Sequence, residues 1–269
     1  MYDEGAGTEL GGNAVGNVRR LAAVHSPQLG NERDVYVYLP PSYASSGRHY
    51  PVVYMQDGQN LFDDDLSFAG AWHVDETMEA LAAEGLEAII VGVSNVADAR
   101  IDEYSPFVDP QRGGGRGDAY LDFLTATLKP QIDAHFRTRR EAEATAIAGS
   151  SMGGLISLYA LLRRPDVFGA AAVMSPSLWF ASEAMLELAR GLHTWTGRLY
   201  LDIGTAEGRP HLRRTRELAR ILRARAPHPR RQIRYYEARD AGHNEAAWGV
   251  RFARAVRWLL PPKRTTLNW

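Results

Sequence analysis

The sequence predicts an α/β fold: a mostly parallel central sheet with helices on both faces. Two observations carry this. Short β-rich runs alternate with helical periodicity from about residue 50 onward, and one of those runs breaks sharply into a helix through Gly149-Ser150-Ser151-Met152-Gly153. Size agrees, because 269 residues with 45% hydrophobic content can bury one full core. A single domain is expected over residues 18–262, with a flexible N-terminal segment over 1–17 and a tail over 263–269.

The β-rich runs lie at Val35–Leu39, Val52–Met55, Ala88–Val93, Thr145–Ala148, Ala170–Met174, Arg198–Ile203 and Gln232–Tyr236. Helical periodicity falls between most of the later ones, at Asp75–Glu84, Asp118–His135, Met152–Leu162, Glu183–Arg190, His211–Arg225 and Glu245–Leu260. Strands that alternate with helices pair in parallel, so the early runs near Arg19 and Val35, which have no helix between them, are expected as an antiparallel edge. Gly113-Gly114-Gly115-Arg116-Gly117 is glycine-rich, but no strand precedes it and no Gly-Lys-Ser/Thr follows. It reads as a flexible loop with Asp118 capping the next helix, rather than a phosphate cradle. No stretch between strands is long enough for a large lid.

The strand-to-helix break has the Gly-x-Ser-x-Gly form of the nucleophile elbow in the α/β-hydrolase fold. A serine that attacks a carbonyl must stand clear of its own backbone, so the chain holds it at positive φ in a turn with no room for side chains two residues either side. Gly149 and Gly153 occupy those places around Ser151, whereas the neighbours of Ser150 at the same spacing are Ala148 and Met152. Ser151 is therefore the candidate nucleophile. The helix that follows aims free backbone N–H groups at any developing oxyanion.

A serine needs a general base, and in this fold the chain order is Ser, acid, His. His243 follows the last strand and precedes the last helix, in Gly242-His243-Asn244-Glu245. His211 opens an arginine-rich helix, His228 lies in a Pro-flanked turn, and His193 precedes the strand expected to carry the acid. That strand ends in Gly204-Thr205-Ala206-Glu207-Gly208, which makes Glu207 the first choice for orienting the imidazole, with Asp240 and Asp202 as alternatives. The second oxyanion donor besides Met152 is expected in the loop Gln56-Asp57-Gly58-Gln59-Asn60, at the N–H of Gln59, unless Asp57-Gly58 is merely a turn.

Composition excludes other classes. There is no cysteine, hence no disulfide, thiolate metal site or cysteine nucleophile, and a formal net charge of −1 gives no field that favours nucleic acid. Arg213, Arg214, Arg216, Arg220, Arg223 and Arg225 gather on one helix, read as a solvated face. No window reaches the ~18 apolar residues of a membrane span, and the first residues lack the pattern of a signal peptide, so a cytoplasmic enzyme is expected. Arg100, Asp102, Glu103 and Tyr104 offer either recognition of a polar group or, as the favoured reading, a local Arg–Glu pair holding their loop.

Together, Tyr54–Phe62, Ala71-Trp72-His73, Gly149–Leu155, Ser175-Pro176-Ser177-Leu178-Trp179, Gly204–Glu207 and Gly242–Glu245 resemble the esterase-D-like branch of the α/β-hydrolases. That branch includes feruloyl and acetyl-xylan esterases, siderophore esterases, S-formylglutathione hydrolase and mycolyltransferases. The resemblance spans residues 33 to 260 and implies a Ser151–His243–Glu207 triad with an oxyanion hole from the backbone of Met152 and Gln59. It also suggests that Trp72 and Trp179 border the substrate pocket, against the plainer reading of both as core. The expected activity is serine carboxylic-ester hydrolysis of a small molecule through an acyl-enzyme, with no metal or organic cofactor. Acyl transfer and a non-catalytic binding module are the alternatives on the same scaffold.

Overall fold

The computed structural model describes residues 6–260; the expectations for residues 1–5 and for the tail at 263–269 lie outside the described residues. The chain begins with β1 (Thr8–Glu9), β2 (Asn17–Ser26) and β3 (Asn31–Leu39), all antiparallel to their neighbours. It continues through β4 (Val52–Gln56), α1 (Val74–Ala82), β5 (Ile89–Val93) and α2 (Arg100–Glu103). A small ribbon follows, β6 (Val108–Asp109) with β7 (Gly113–Gly114). Next come α3 (Gly117–Asp122) and α4 (Lys129–His135), then β8 (Thr145–Ser150), α5 (Ser151–Arg163), β9 (Ala170–Met174), α6 (Phe180–Gly191) and β10 (Arg198–Gly204). The last elements are α7 (Arg209–Arg225), α8 (Pro229–Gln232), β11 (Ile233–Ala238) and α9 (Glu245–Leu259).

Among the described residues the main sheet has nine strands in the order β1-β2-β3-β5-β4-β8-β9-β10-β11. From β5 through β11 every pairing is parallel, and β3 joins β5 antiparallel, as the strand–helix alternation requires. Alternation within β3 shows how the core divides: Val35, Val37 and Leu39 enter one apolar layer while Tyr36 and Tyr38 enter the other. β8 is buried along its whole length, as a central strand covered on both faces must be.

Three local expectations are corrected. Part of the segment expected to be flexible over 1–17 is tied down, since Thr8 and Glu9 pair with Arg20 and Arg19, and the Val15 N–H donates to Asp75 Oδ2 at 2.6 Å. Polar composition hid this, because the anchors are mainly backbone groups. The helix expected over Asp118–His135 is two helices joined by a π-helical turn at Phe123–Leu128. Pro130 at the start of α4 has no N–H to give and a ring that would clash with the preceding turn, which a wider turn relieves. Asp118 does not cap α3: the helix starts at Gly117 with Arg116 as its N-cap, and the Asp118 carboxylate accepts from Tyr159 Oη at 2.8 Å. The arginines of α7 are partly engaged in pairs, Arg214 with Glu183 and Arg216 with Glu237.

Candidate active site

Every parallel strand delivers its carboxyl end to the same edge of the sheet, and the loops leaving β4, β8, β10 and β11 meet there. Ser151 opens α5 at φ 56°, while Ser150 before it is extended and buried. The elbow is glycine-dependent on both sides: a Cβ at Gly149 would lie 2.6 Å from the Gly153 carbonyl oxygen, and one at Gly153 would lie 2.9 Å from Gln56 Cβ. No side chain fits at either place.

His243 Nε2 lies 3.0 Å from Ser151 Oγ, and His243 Nδ1 lies 2.7 Å from Glu207 Oε2. The three residues, 92 and 36 positions apart along the chain, form one hydrogen-bonded line. The loops that carry the last two are stitched together by Asp240 N–H to Thr205 Oγ1 at 2.8 Å and Ala206 N–H to the Ala241 carbonyl at 3.1 Å. Asn244 caps α9 by accepting from the Ala247 N–H, and the indole of Trp248, one turn on, stands edge-to-face against the His243 ring at 4.8 Å.

The two alternative acids sit elsewhere. Asp240 is exposed beside Arg239, and Asp202 is fully buried against Arg251 and Tyr200. Glu207 is 2% exposed at its side chain, and burial pushes its carboxyl up; hydrogen bonds from His243, Ser175 and the Gly204 N–H outweigh that and hold it below the ordinary glutamate value. Ser177 flanks the nucleophile, with its Oγ 3.1 Å from Ser151 Oγ and its N–H donating to the Ser151 carbonyl at 3.0 Å.

Ser151 and His243 open into a cleft of about 650 Å3 that is also lined by Gln59, Phe68, Trp72, Arg100, Glu245 and Trp248. Gln59 belongs to the short turn Gly58–Asn60 that follows β4, and Met152 occupies the first turn of α5, where backbone N–H groups have no helical partner. Trp72 lines the cleft from the core, packed against Trp248 at 5.8 Å and Phe252 at 6.2 Å. Trp179 is not brought to it. Its ring stands instead beside Phe180 and beneath the Arg112 guanidinium, in a surface depression with Asp109 and Ser182. The direction in which this ring points is not encoded by motif resemblance.

The expected local Arg100–Glu103 pair is also absent. Arg100 donates from Nε and Nη2 to both oxygens of Asp57 at 2.7 and 2.8 Å, while Glu103 pairs with Arg33 in a fully buried bridge at 2.8 Å. Burial works against the Arg100 charge, but Asp57 more than compensates and raises its pKa. Sequence reading assigned no role to Ser175 or Arg251 and missed the Asp57–Arg100 pair; all depend on side chains meeting across long separations, for which the sequence carries no periodic signal.

A serine at a strand–helix elbow of a mostly parallel sheet, with a histidine and an acid on later loops, is the architecture of an α/β-hydrolase. Residues 26–259 match the family described as Putative esterase, and the chain belongs to that family. It is a carboxylic-ester hydrolase. The chain is similar to YbbA of Bacillus subtilis, at 29% identity over 253 residues that cover 89% of this chain and 97% of that one. It is also similar to a siderophore triacetylfusarinine C esterase of Aspergillus fumigatus, at 29% identity over 60% of this chain and 58% of that protein. Among solved structures, the BES protein from Bacillus cereus superimposes with a TM-score of 0.75 at 21% identity, covering 94% of this chain and 98% of that one; this likeness shows the fold.

Proposed function

We propose that the protein hydrolyses small-molecule esters through an acyl-enzyme on Ser151, with His243 as general base and acid and Glu207 as its orienting carboxylate. The observation that carries this reading is the unbroken line Ser151 Oγ, His243 Nε2, His243 Nδ1, Glu207 Oε2, with its nucleophile open to a cleft. As Ser151 Oγ attacks the substrate carbonyl carbon, its proton passes to His243 Nε2 and the carbonyl oxygen becomes the oxyanion. The N–H groups of Met152 and Gln59 receive that charge. Collapse breaks the ester C–O bond, the Nε2 proton goes to the departing alkoxide, and the acyl group stays on Oγ. Water then repeats the sequence, giving its proton to Nε2 and releasing the acid.

The aromatic walls of Trp72, Trp248 and Phe68 favour an ester with a substantial apolar or aromatic group, and the siderophore-esterase name of one relative favours a small-molecule substrate. A fluorophosphonate probe tests the nucleophile, with a p-nitrophenyl ester panel alongside. Labelling of the native protein that disappears in Ser151→Ala supports the assignment; no labelling, or labelling unchanged in that variant, overturns it.

A further inference from the structure

Behind Glu207 lies a buried polar chain that the triad does not require. Ser175 Oγ is within hydrogen-bond distance of Glu207 Oε1 at 2.6 Å, Trp248 Nε1 at 3.0 Å and Arg251 Nη2 at 3.0 Å. Arg251 is anchored in turn by Asp202, through Nε to Oδ2 at 2.9 Å and Nη2 to Oδ1 at 3.3 Å, and Tyr200 Oη donates to the same carboxylate at 3.1 Å. The Arg251 and Asp202 side chains are 4% and 0% exposed, so no solvent competes for these groups.

The donor count fixes the direction of the bonds at Ser175 Oγ. A hydroxyl has one proton and two lone pairs, and both an indole N–H and a guanidinium can only donate. Trp248 and Arg251 therefore occupy the two lone pairs of Ser175, and its single proton points to Glu207 Oε1. The same oxygen accepts the Gly204 N–H at 2.7 Å. With Oε1 accepting twice, that oxygen carries no proton, and the hydrogen bonds from Ser175, Gly204 and His243 hold Glu207 below the ordinary glutamate value, as a carboxylate whose Oε2 accepts from the histidine. His243 Nδ1 must then carry the proton, which leaves Nε2 bare toward Ser151. Ser175 adopts φ 45° at the end of β9, a conformation costly for a non-glycine residue, and its backbone N–H is held by the Asp202 carbonyl at 3.0 Å.

We propose that Ser175 and Arg251 are positioning residues which, through Glu207, set the tautomer and orientation of His243. The proposal rests on the assignment of Ser151, His243 and Glu207 made above. A purely structural role would be to hold α9 against β10, and that role predicts a loss of stability without a change in the chemistry of the base.

The test compares wild type with Ser175→Ala, which removes the donor to Glu207, and Arg251→Lys, which keeps a cation for Asp202 but lacks the planar fork that also reaches Ser175. Each is checked for folding by near-ultraviolet circular dichroism, then assayed on a p-nitrophenyl ester across pH. The low-field NMR resonance of the His243 Nδ1 proton is followed in parallel. A hydrogen bond to a charged group is worth about tenfold to a hundredfold in an equilibrium, so kcat should fall by about that much in Ser175→Ala. KM should stay within about threefold. The acidic limb of the kcat profile should move to higher pH, because Glu207 loses a donor that favours its charged form and so protonates more readily, and the low-field resonance should shift or broaden. Folded variants with unchanged kcat, pH profile and resonance overturn the proposal. If Ser175→Ala does not fold, Arg251→Lys is read by the same criteria. Full activity in Ser151→Ala would instead remove the reading on which it rests.

Discussion

The rear and the mouth of the active site are built in opposite ways. At the rear, Glu207 is 2% exposed at its side chain, and its carboxylate meets Ser175, the Gly204 N–H and His243 at 2.6–2.7 Å, with the Arg251–Asp202 pair behind. At the mouth, Phe68 is 95% exposed, and its loop is held by a few bonds, among them Phe68 N–H to Asn60 Oδ1 at 3.3 Å and Ala71 N–H to Asp64 Oδ1 at 2.7 Å. Proton transfer demands that its groups stay within about half an ångström of their productive places, so they are over-determined by buried partners. Recognition of the ester tolerates looser walls and leaves them free to change.

Breaking the rear should produce the largest effects. Glu207→Gln keeps the shape but offers an amide where His243 Nδ1–H needs a carboxylate, and kcat should fall by about 10³–10⁴ with the fold intact by circular dichroism. A decrease of less than tenfold would show that the carboxylate is dispensable. Trp72 joins the two regions because it lines the cleft yet packs in the core. Trp72→Ala should therefore cost about 3–5 kcal/mol in urea unfolding, as well as impairing turnover. A loss below 1 kcal/mol would place it on the mouth side of the comparison.

The pH dependence of stability separates the regions more finely. Glu207 has a folded pKa below its unfolded one, so its contribution is complete above the unfolded value and is lost as pH falls through the folded value. Between about pH 5 and pH 3 the unfolding free energy of the wild type should drop more steeply than that of Glu207→Gln, in which this group does not titrate. Parallel slopes would contradict the depressed pKa. At the mouth, Phe68→Ala should lower kcat/KM for bulky aryl esters by up to about tenfold through KM, and change stability by no more than about 0.5 kcal/mol. An equal loss on acetyl and bulky esters would rule out a recognition role. Smallest of all, Trp179→Ala should leave kcat/KM within about twofold of wild type, since its ring faces Arg112 and not the cleft. A change in ester preference would return it to the pocket.

Much of this was readable from residue order. The runs Ala170–Met174 and Arg198–Ile203 became β9 and β10 almost residue for residue, because a buried strand between two helices is written in a short apolar run and its breakers. Gly149 and Gly153 announced the elbow, since the steric demand lies within two residues of Ser151. What escaped was long-range. Arg100 pairs with Asp57, 43 positions away, rather than with Glu103 three positions on, and Arg251 reaches Ser175 across 76 positions. Trp179 sat in a recognisable segment, yet the turn that aims it depends on what packs behind.

By itself the sequence determined the order of strands and helices, the antiparallel edge, the strained turn at Ser151 and the loops from which His243 and Glu207 project, because periodicity, chain order and local sterics act over a few residues. Only the tertiary structure decided that Glu207 rather than Asp240 or Asp202 meets His243, that Ser175 must point its one proton at Glu207, and that Trp72 but not Trp179 faces the cleft. Those outcomes rest on hydrogen-bond geometry and burial between segments far apart in the chain, and they exist only once the sheet has brought its carboxyl edge together.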